Sequence, residues 1–177
     1  MLIALAVCAA AGCRQMAVSE AERALVLRAE DFAPFGVEVA DAAAHEKFEK
    51  TVYFDGAADI DYEYDPPGGE MYLSVTVTFE KDEGQARFSK GLENTGLKIG
   101  AGLGGLKMEE QKEFFRYGDD SSFYVLTKDG RPVGNYFVTR VGAKVYSAAV
   151  VGVYFSDPEE WAALVTPKLQ QFSAHRP

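Results

Sequence analysis

The residues of this chain best suited to chemistry lie in the stretch ADIDYEYDPP. Asp59, Asp61, Glu63 and Asp65 are spaced two apart. In an extended strand that spacing puts all four carboxylates on one face and Ile60, Tyr62 and Tyr64 on the other. Hard cations such as calcium take about six to eight oxygen ligands, several of them from carboxylates. Glu70 stands at the twelfth position counted from Asp59, where a calcium loop places its last ligand. The sixth position is Tyr64 and not the glycine such a loop requires, and Pro66 and Pro67 interrupt its path. The four acids therefore offer at best a weak cation site. The preferred reading is a solvated strand face whose charges discourage edge-to-edge pairing. No resident metal or cofactor is expected.

Other candidate chemistry is weaker still. Gly100, Gly102 and Gly105 in LKIGAGLGGLKM have the GxGxxG spacing. The phosphate-binding form of that pattern follows a strand and opens a helix. Here a helical stretch precedes it, so a flexible connector is the expectation, with a lid over a pocket as its one functional use. The histidines are His45 and His175. Neither belongs to a His-x-x-x-His or Glu-x-x-His pair, and no Gly-x-Ser-x-Gly elbow accompanies them. Tyr136, Tyr146 and Tyr154 fall where adjacent strands are expected and suit either a binding surface or the boundary between core and solvent.

Composition narrows the class further. The chain has 177 residues, 47% of them hydrophobic, enough for one domain with a substantial core. Its formal charge of -9 disfavours nucleic acid and anionic headgroups as partners of the surface as a whole. Both cysteines, Cys8 and Cys13, lie near the N-terminus, so the remainder has no disulfide and no thiolate chemistry.

The N-terminal stretch from Leu2 to Gly12 is apolar or small throughout and too short to span a bilayer, which takes about 20 apolar residues. It reads as a secretory signal. Ala10-Ala11-Gly12-Cys13 resembles the lipobox of bacterial lipoproteins. That resemblance implies a signal peptide over residues 1–12, cleaved before Cys13. It also implies a Cys13 that carries diacylglycerol and an amide-linked palmitate, and a tether over residues 13–18. Anchoring in the bacterial cell envelope follows, and Arg14 at the second mature position points to an outer membrane facing the periplasm where the cell has one.

The elements that must position these residues follow from local pattern. Ser19 and Glu22 have capping-box spacing and predict a first helix. Residues 47–55 and 58–65 read as strands around the turn Asp55-Gly56. Residues 71–80 alternate strictly. Asp82 with Gln85 predicts a helix over 83–94, with Phe88 and Leu92 one turn apart and Gly96 as its stop. Residues 110–117, 122–128 and 145–155 read as strands, and the last, apolar on both faces, must be central. Asp157-Pro158-Glu159-Glu160 starts a closing helix. Its apolar face is Trp161, Leu164, Val165, Leu169 and Phe172, and Pro167 is expected to kink it. This order specifies a single α+β domain over 19–177, an antiparallel sheet with helices packed on it.

The half from Gly130 to Phe172, GRPVGNYFVTRVGAKVYSAAVVGVYFSDPEEWAALVTPKLQQF, resembles the end of PsbP-like and LpqN-like domains, and it is similar to some actinobacterial kinase sensor domains. The likeness implies a lipid-anchored accessory or binding module. The functional expectation is a non-catalytic binding or scaffolding domain held at a membrane, with another envelope protein as partner. The alternatives are a carrier of a small ligand or lipid, with an apolar pocket between sheet and helices, and a hydrolase built on paired carboxylates.

Overall fold

Asp-Gly pairs close two hairpins of this chain. At Asp129-Gly130 both residues take left-handed φ angles, 52° and 76°, the twist that matches flanking strands. At Asp55-Gly56 the amide of Tyr53 donates to Ala57 O at 2.9 Å. The computed structural model describes residues 13–39, 41–68 and 71–176. The expected signal segment and Glu70 lie outside those residues.

Eight strands form one antiparallel sheet: β1 (Cys13–Met16), β2 (Glu46–Tyr53), β3 (Ala58–Tyr64), β4 (Tyr72–Phe79), β5 (Lys107–Glu110), β6 (Asp120–Lys128), β7 (Arg131–Val141) and β8 (Lys144–Val151). Their spatial order is β1-β2-β3-β4-β8-β7-β6-β5. The last strand closes against β4, so two meanders join at the centre. The helices are α1 (Glu20–Arg23), α2 (Ala42–His45), α3 (Glu83–Leu103) and α4 (Pro158–Ala174), with a 3-10 segment over Ala29–Phe35. The molecule is a single α+β domain, and β8 is central as its two apolar faces require.

One face of the sheet carries the main core. α4 starts at Asp157, whose carboxylate accepts from the Glu159 amide at 2.8 Å, with Pro158 in its first turn. All five expected apolar residues of α4 are buried. Trp161 is enclosed by the rings of Phe123, Phe137 and Phe155. Pro167 lies inside the continuous helix and does not divide it. Lys144 reaches the far end of α4 and donates to the carbonyls of Phe172, Ser173 and His175 at 2.7–3.1 Å. Carbonyls at a helix C-terminus lack regular intrahelical partners; Phe172 O also accepts from the His175 amide at 3.3 Å, and the ammonium opposes the negative end of the helix dipole. The segment from Leu25 to Phe35 packs into the same core outside the sheet. Two buried phenols satisfy its amides: Leu27 N donates to Tyr146 Oη and Ala29 N to Tyr62 Oη, both at 3.0 Å.

Three stretches take a course other than the one their local pattern suggests. The tether expected over 13–18 begins instead as strand β1, with Cys13 opposite Tyr53 and Met16 opposite Lys50. The unpaired edge of β2 supplies its hydrogen bonds. The strand expected over 110–117 lies earlier, at β5, and gives way to turns after Glu110. The helix expected to stop at Gly96 continues to Leu103. Its stop is a Schellman arrangement, in which Gly105 takes φ 74°, Leu106 N donates to Ala101 O at 2.8 Å and Gly105 N to Gly102 O at 3.1 Å. The glycine-rich stretch is thus the last turns of α3 and not a connector. An interior glycine costs about 1 kcal/mol relative to alanine, which the docking of α3 on the sheet outweighs.

Candidate functional site

The second face of the sheet is covered only in part. α3 lies over β6, β7 and β8, where Ala86 packs with Tyr124, Leu126, Tyr136, Val138 and Val145. Arg140, buried on β7, holds the start of α3 through Glu83 at 3.7 Å and bonds Asp119 at 3.1 Å. Beyond α3, which also touches β4, the same face of β2 and β3 has no helix docked on it. The strand register aligns polar residues there in rows across the sheet. Glu49, Asp61, Thr76 and Ser147 form one row, and Thr51, Asp59 and Thr78 the next.

Asp59, Asp61 and Glu63 share this face as the two-residue spacing requires, yet they do not act as free ligands. Tyr53 Oη donates to Asp59 at 2.7 Å, Thr76 Oγ1 to Asp61 at 2.9 Å and Tyr72 Oη to Glu63 at 3.2 Å. Asp65 follows the end of β3, is exposed, and its amide bonds His45 O at 3.3 Å. Among the described residues no three His, Cys, Asp or Glu side chains converge on a point fit for a metal ion. Protection of a sheet edge does not explain the four acids either, because β3 is interior, between β2 and β4.

A cleft of about 480 Å³ opens where the uncovered face meets α3. Tyr53, Phe54 and Asp55 of the β2–β3 hairpin form one wall, Asp59, Thr78 and Glu80 the floor, and Ser89, Leu92 and Glu93 of α3 the other wall. Glu93 accepts from Ser147 Oγ at 2.9 Å. Burial pushes the Glu93 carboxyl above its ordinary range, with the Asp59 charge adding to it. Burial likewise pushes Asp61 up to about 6; the Thr76 hydrogen bond opposes the rise, and Asp59, Glu93 and Glu49 reinforce it. Close by, the buried Tyr136 hydroxyl has no hydrogen-bond partner. It is held protonated by burial, with Glu93 and Tyr124 adding to that effect. Asp61 thus holds a proton more tightly than an ordinary carboxyl, Glu93 is shifted in the same direction, and the cleft beside them is acidic and open to solvent.

The outer surface of α3 is a second unusual feature. Phe88, Leu92, Ile99 and Leu103 are 68%, 55%, 60% and 84% exposed, and Phe54 across the cleft is 86% exposed. Next to Phe54 a further hollow of about 410 Å³ is lined by Cys13, Arg14, Val52 and Tyr53. Phe88 and Leu92 are legible in the sequence as a helical pair. Ile99 and Leu103 extend that pair at helical spacing, hidden by the glycines between them.

The remaining candidates scatter. Gly100 and Gly102 are inside α3 and Gly105 ends it, so no helix N-terminus faces them. His45 closes α2, and the His175 ring lies tilted against Phe79 at 5.4 Å, so the two belong to different elements. Tyr136 faces α3, Tyr146 faces the main core, and Tyr154 lies past the end of β8, so the three form no common surface. Glu93 and Ser147 carry no spacing signal in the sequence, and they meet Thr78 of the cleft and Thr76 beside it only through strand register and the placement of α3. Among the described residues no helix is long and apolar enough to cross a membrane. Comparison with protein families, curated proteins and solved structures finds no match to the chain.

Proposed function

We propose that this chain is a lipid-anchored protein of the bacterial envelope, acylated at Cys13, whose domain is a non-catalytic binding module. It belongs to the accessory kind that the likeness to PsbP-like and LpqN-like domains implies. The observation that carries this reading is the set of large exposed apolar side chains on α3 and at Phe54, of which Phe54 also borders the hollow that Cys13 lines. Large apolar side chains left exposed along one line of a helix are the feature of an interaction surface. The carrier alternative has less support, because the two clefts are open and the larger is floored by carboxylates.

The test of the anchor is incorporation of labelled palmitate during growth. Wild-type chain takes up the label and Cys13→Ser does not. Absence of label from the wild-type chain refutes the proposal.

A second reading has its own observation. Asp61 and Glu93 are carboxyls with raised proton affinity beside one cleft, the property a general acid requires. That reading makes the chain a hydrolase. It predicts that Glu93→Gln abolishes turnover of a substrate found by screening, while the fold is retained.

A further inference from the structure

A helix that docks on a sheet ordinarily turns its apolar stripe inward, and α3 does the reverse. Toward the sheet it presents Ala86, Lys90, Glu93 and Asn94, with Leu97 the one large apolar residue among them. Outward it presents Phe88, Leu92, Ile99 and Leu103, spaced four, seven and four residues apart, which places them in one line along a helix about 30 Å long.

Charge follows the same division. The exposed charged residues of α3 are Arg87, Lys98 and Glu83, two basic against one acidic, in a chain of net charge -9. An apolar line beside basic residues on a helix of low overall hydrophobicity is a feature of helices lying in a membrane interface; here Arg87 and Lys98 border the line on one side, with Lys98 Nζ 5.3 Å from the Tyr124 ring.

The position of Cys13 selects the occupant. Cys13 is paired in β1 opposite Tyr53, so the chain leaves its anchor directly into the sheet with no slack. Cys13 and Phe54 line one hollow, and Phe54 and Leu92 line the next. A lipid on Cys13 therefore brings Phe54, and the helix beyond it, against the surface into which the lipid inserts. We infer that the outward line of α3 and Phe54 lie on the bilayer that holds the anchor, with the apolar side chains at the boundary of headgroups and acyl chains. This inference rests on the acylation of Cys13. It assigns to the exposed apolar face a lipid surface, and it leaves the acidic cleft as the part of the module that takes up other partners.

The test uses the full chain, acylated in cells and reconstituted into vesicles of phosphatidylethanolamine and phosphatidylglycerol that contain brominated lipid. Trp161 is the one native tryptophan and is fully buried, which makes it a constant background. Ile99→Trp and, as a second position, Phe88→Trp place a reporter on the outward line, where the side chain packs against nothing that folding needs. Gln170→Trp places the control on the exposed side of α4, across the sheet. The expected result is quenching of both α3 reporters at least about threefold stronger than that of the control. Quenching equal to the control overturns the inference. A doubled mass with the reporters shielded from lipid also overturns it and gives the face to a second copy of the chain. Mass spectrometry of Cys13 in the same preparation separates the two proposals. An unacylated Cys13 overturns both, whereas acylated protein with unquenched reporters overturns the bilayer contact alone.

Discussion

Replacing Asp61 with asparagine makes this protein more stable, and the gain depends on pH in a defined way. The folded Asp61 carboxyl is held at about 6 against an ordinary value of 3.8, chiefly by burial. The folded state therefore binds a proton more tightly than the unfolded chain, and stability falls as pH rises between those two values. Above pH 6 the folded protein carries a half-buried negative charge beside Asp59, Glu93 and Glu49. A difference of about 2 units at 1.36 kcal/mol each corresponds to about 3 kcal/mol lost at pH 8. At pH 4.5 the folded carboxyl is mostly neutral and the corresponding loss is about 1 kcal/mol. Asparagine reproduces the neutral form, and its side-chain oxygen can still accept from Thr76, which bonds Asp61 at 2.9 Å. Urea unfolding of wild type and Asp61→Asn at both pH values measures the two differences. The expected gain is about 3 kcal/mol at pH 8 and about one third of that at pH 4.5. A variant that is no more stable than wild type at pH 8, or whose gain does not shrink on acidification, refutes the argument that burial sets this carboxyl.

Two further outcomes follow from single contacts. Gly96 lies in the interior of α3, and a Cβ added there meets nothing within 4 Å, so Gly96→Ala is expected to raise unfolding free energy by about 1 kcal/mol in a denaturant titration; a loss of stability would show that α3 is not helical at that point. Tyr146→Phe removes the hydroxyl that accepts from the buried Leu27 amide at 3.0 Å, at an expected cost of about 1–3 kcal/mol. Hydrogen exchange at Leu27 should accelerate in that variant, and unchanged protection there would mean that the amide has another acceptor.

Much of the fold is legible because its signals are local. The alternation over residues 71–80, the Asp-Gly turns and the capped, five-residue apolar face of α4 each state their own structure. Periodicity fixes what a strand or helix buries whenever the element meets only one partner layer. The same reasoning fails at α3. The glycines argue for an early stop, and Phe88 and Leu92 argue for an inward face. Helix length was decided by contacts with β6, β7 and β8 that no local window contains, and Phe88 and Leu92 face solvent.

The acidic strand divides in the same manner. Its two-residue spacing correctly places Asp59, Asp61 and Glu63 on one face of β3. What those acids do depends on neighbours distant in the chain. Thr76 lies opposite Asp61 through the β3–β4 register, and Glu93 arrives on a helix that starts after β4. A carboxylate next to solvent and one beneath a helix differ in proton affinity by burial and neighbouring charge, and neither is encoded in spacing.

The sequence by itself determined the α+β class, the Asp-Gly turns, the start and apolar face of α4 and the faces of β3 and β4, because each depends on residues a few positions apart. Tertiary structure alone decided that the residues after Cys13 form an edge strand, that α3 shows its apolar line to the outside, and that Asp59, Asp61 and Glu93 meet beside one cleft. Each of those outcomes is a competition between long-range contacts and local preference, and its result depends on which surfaces the rest of the chain has already covered.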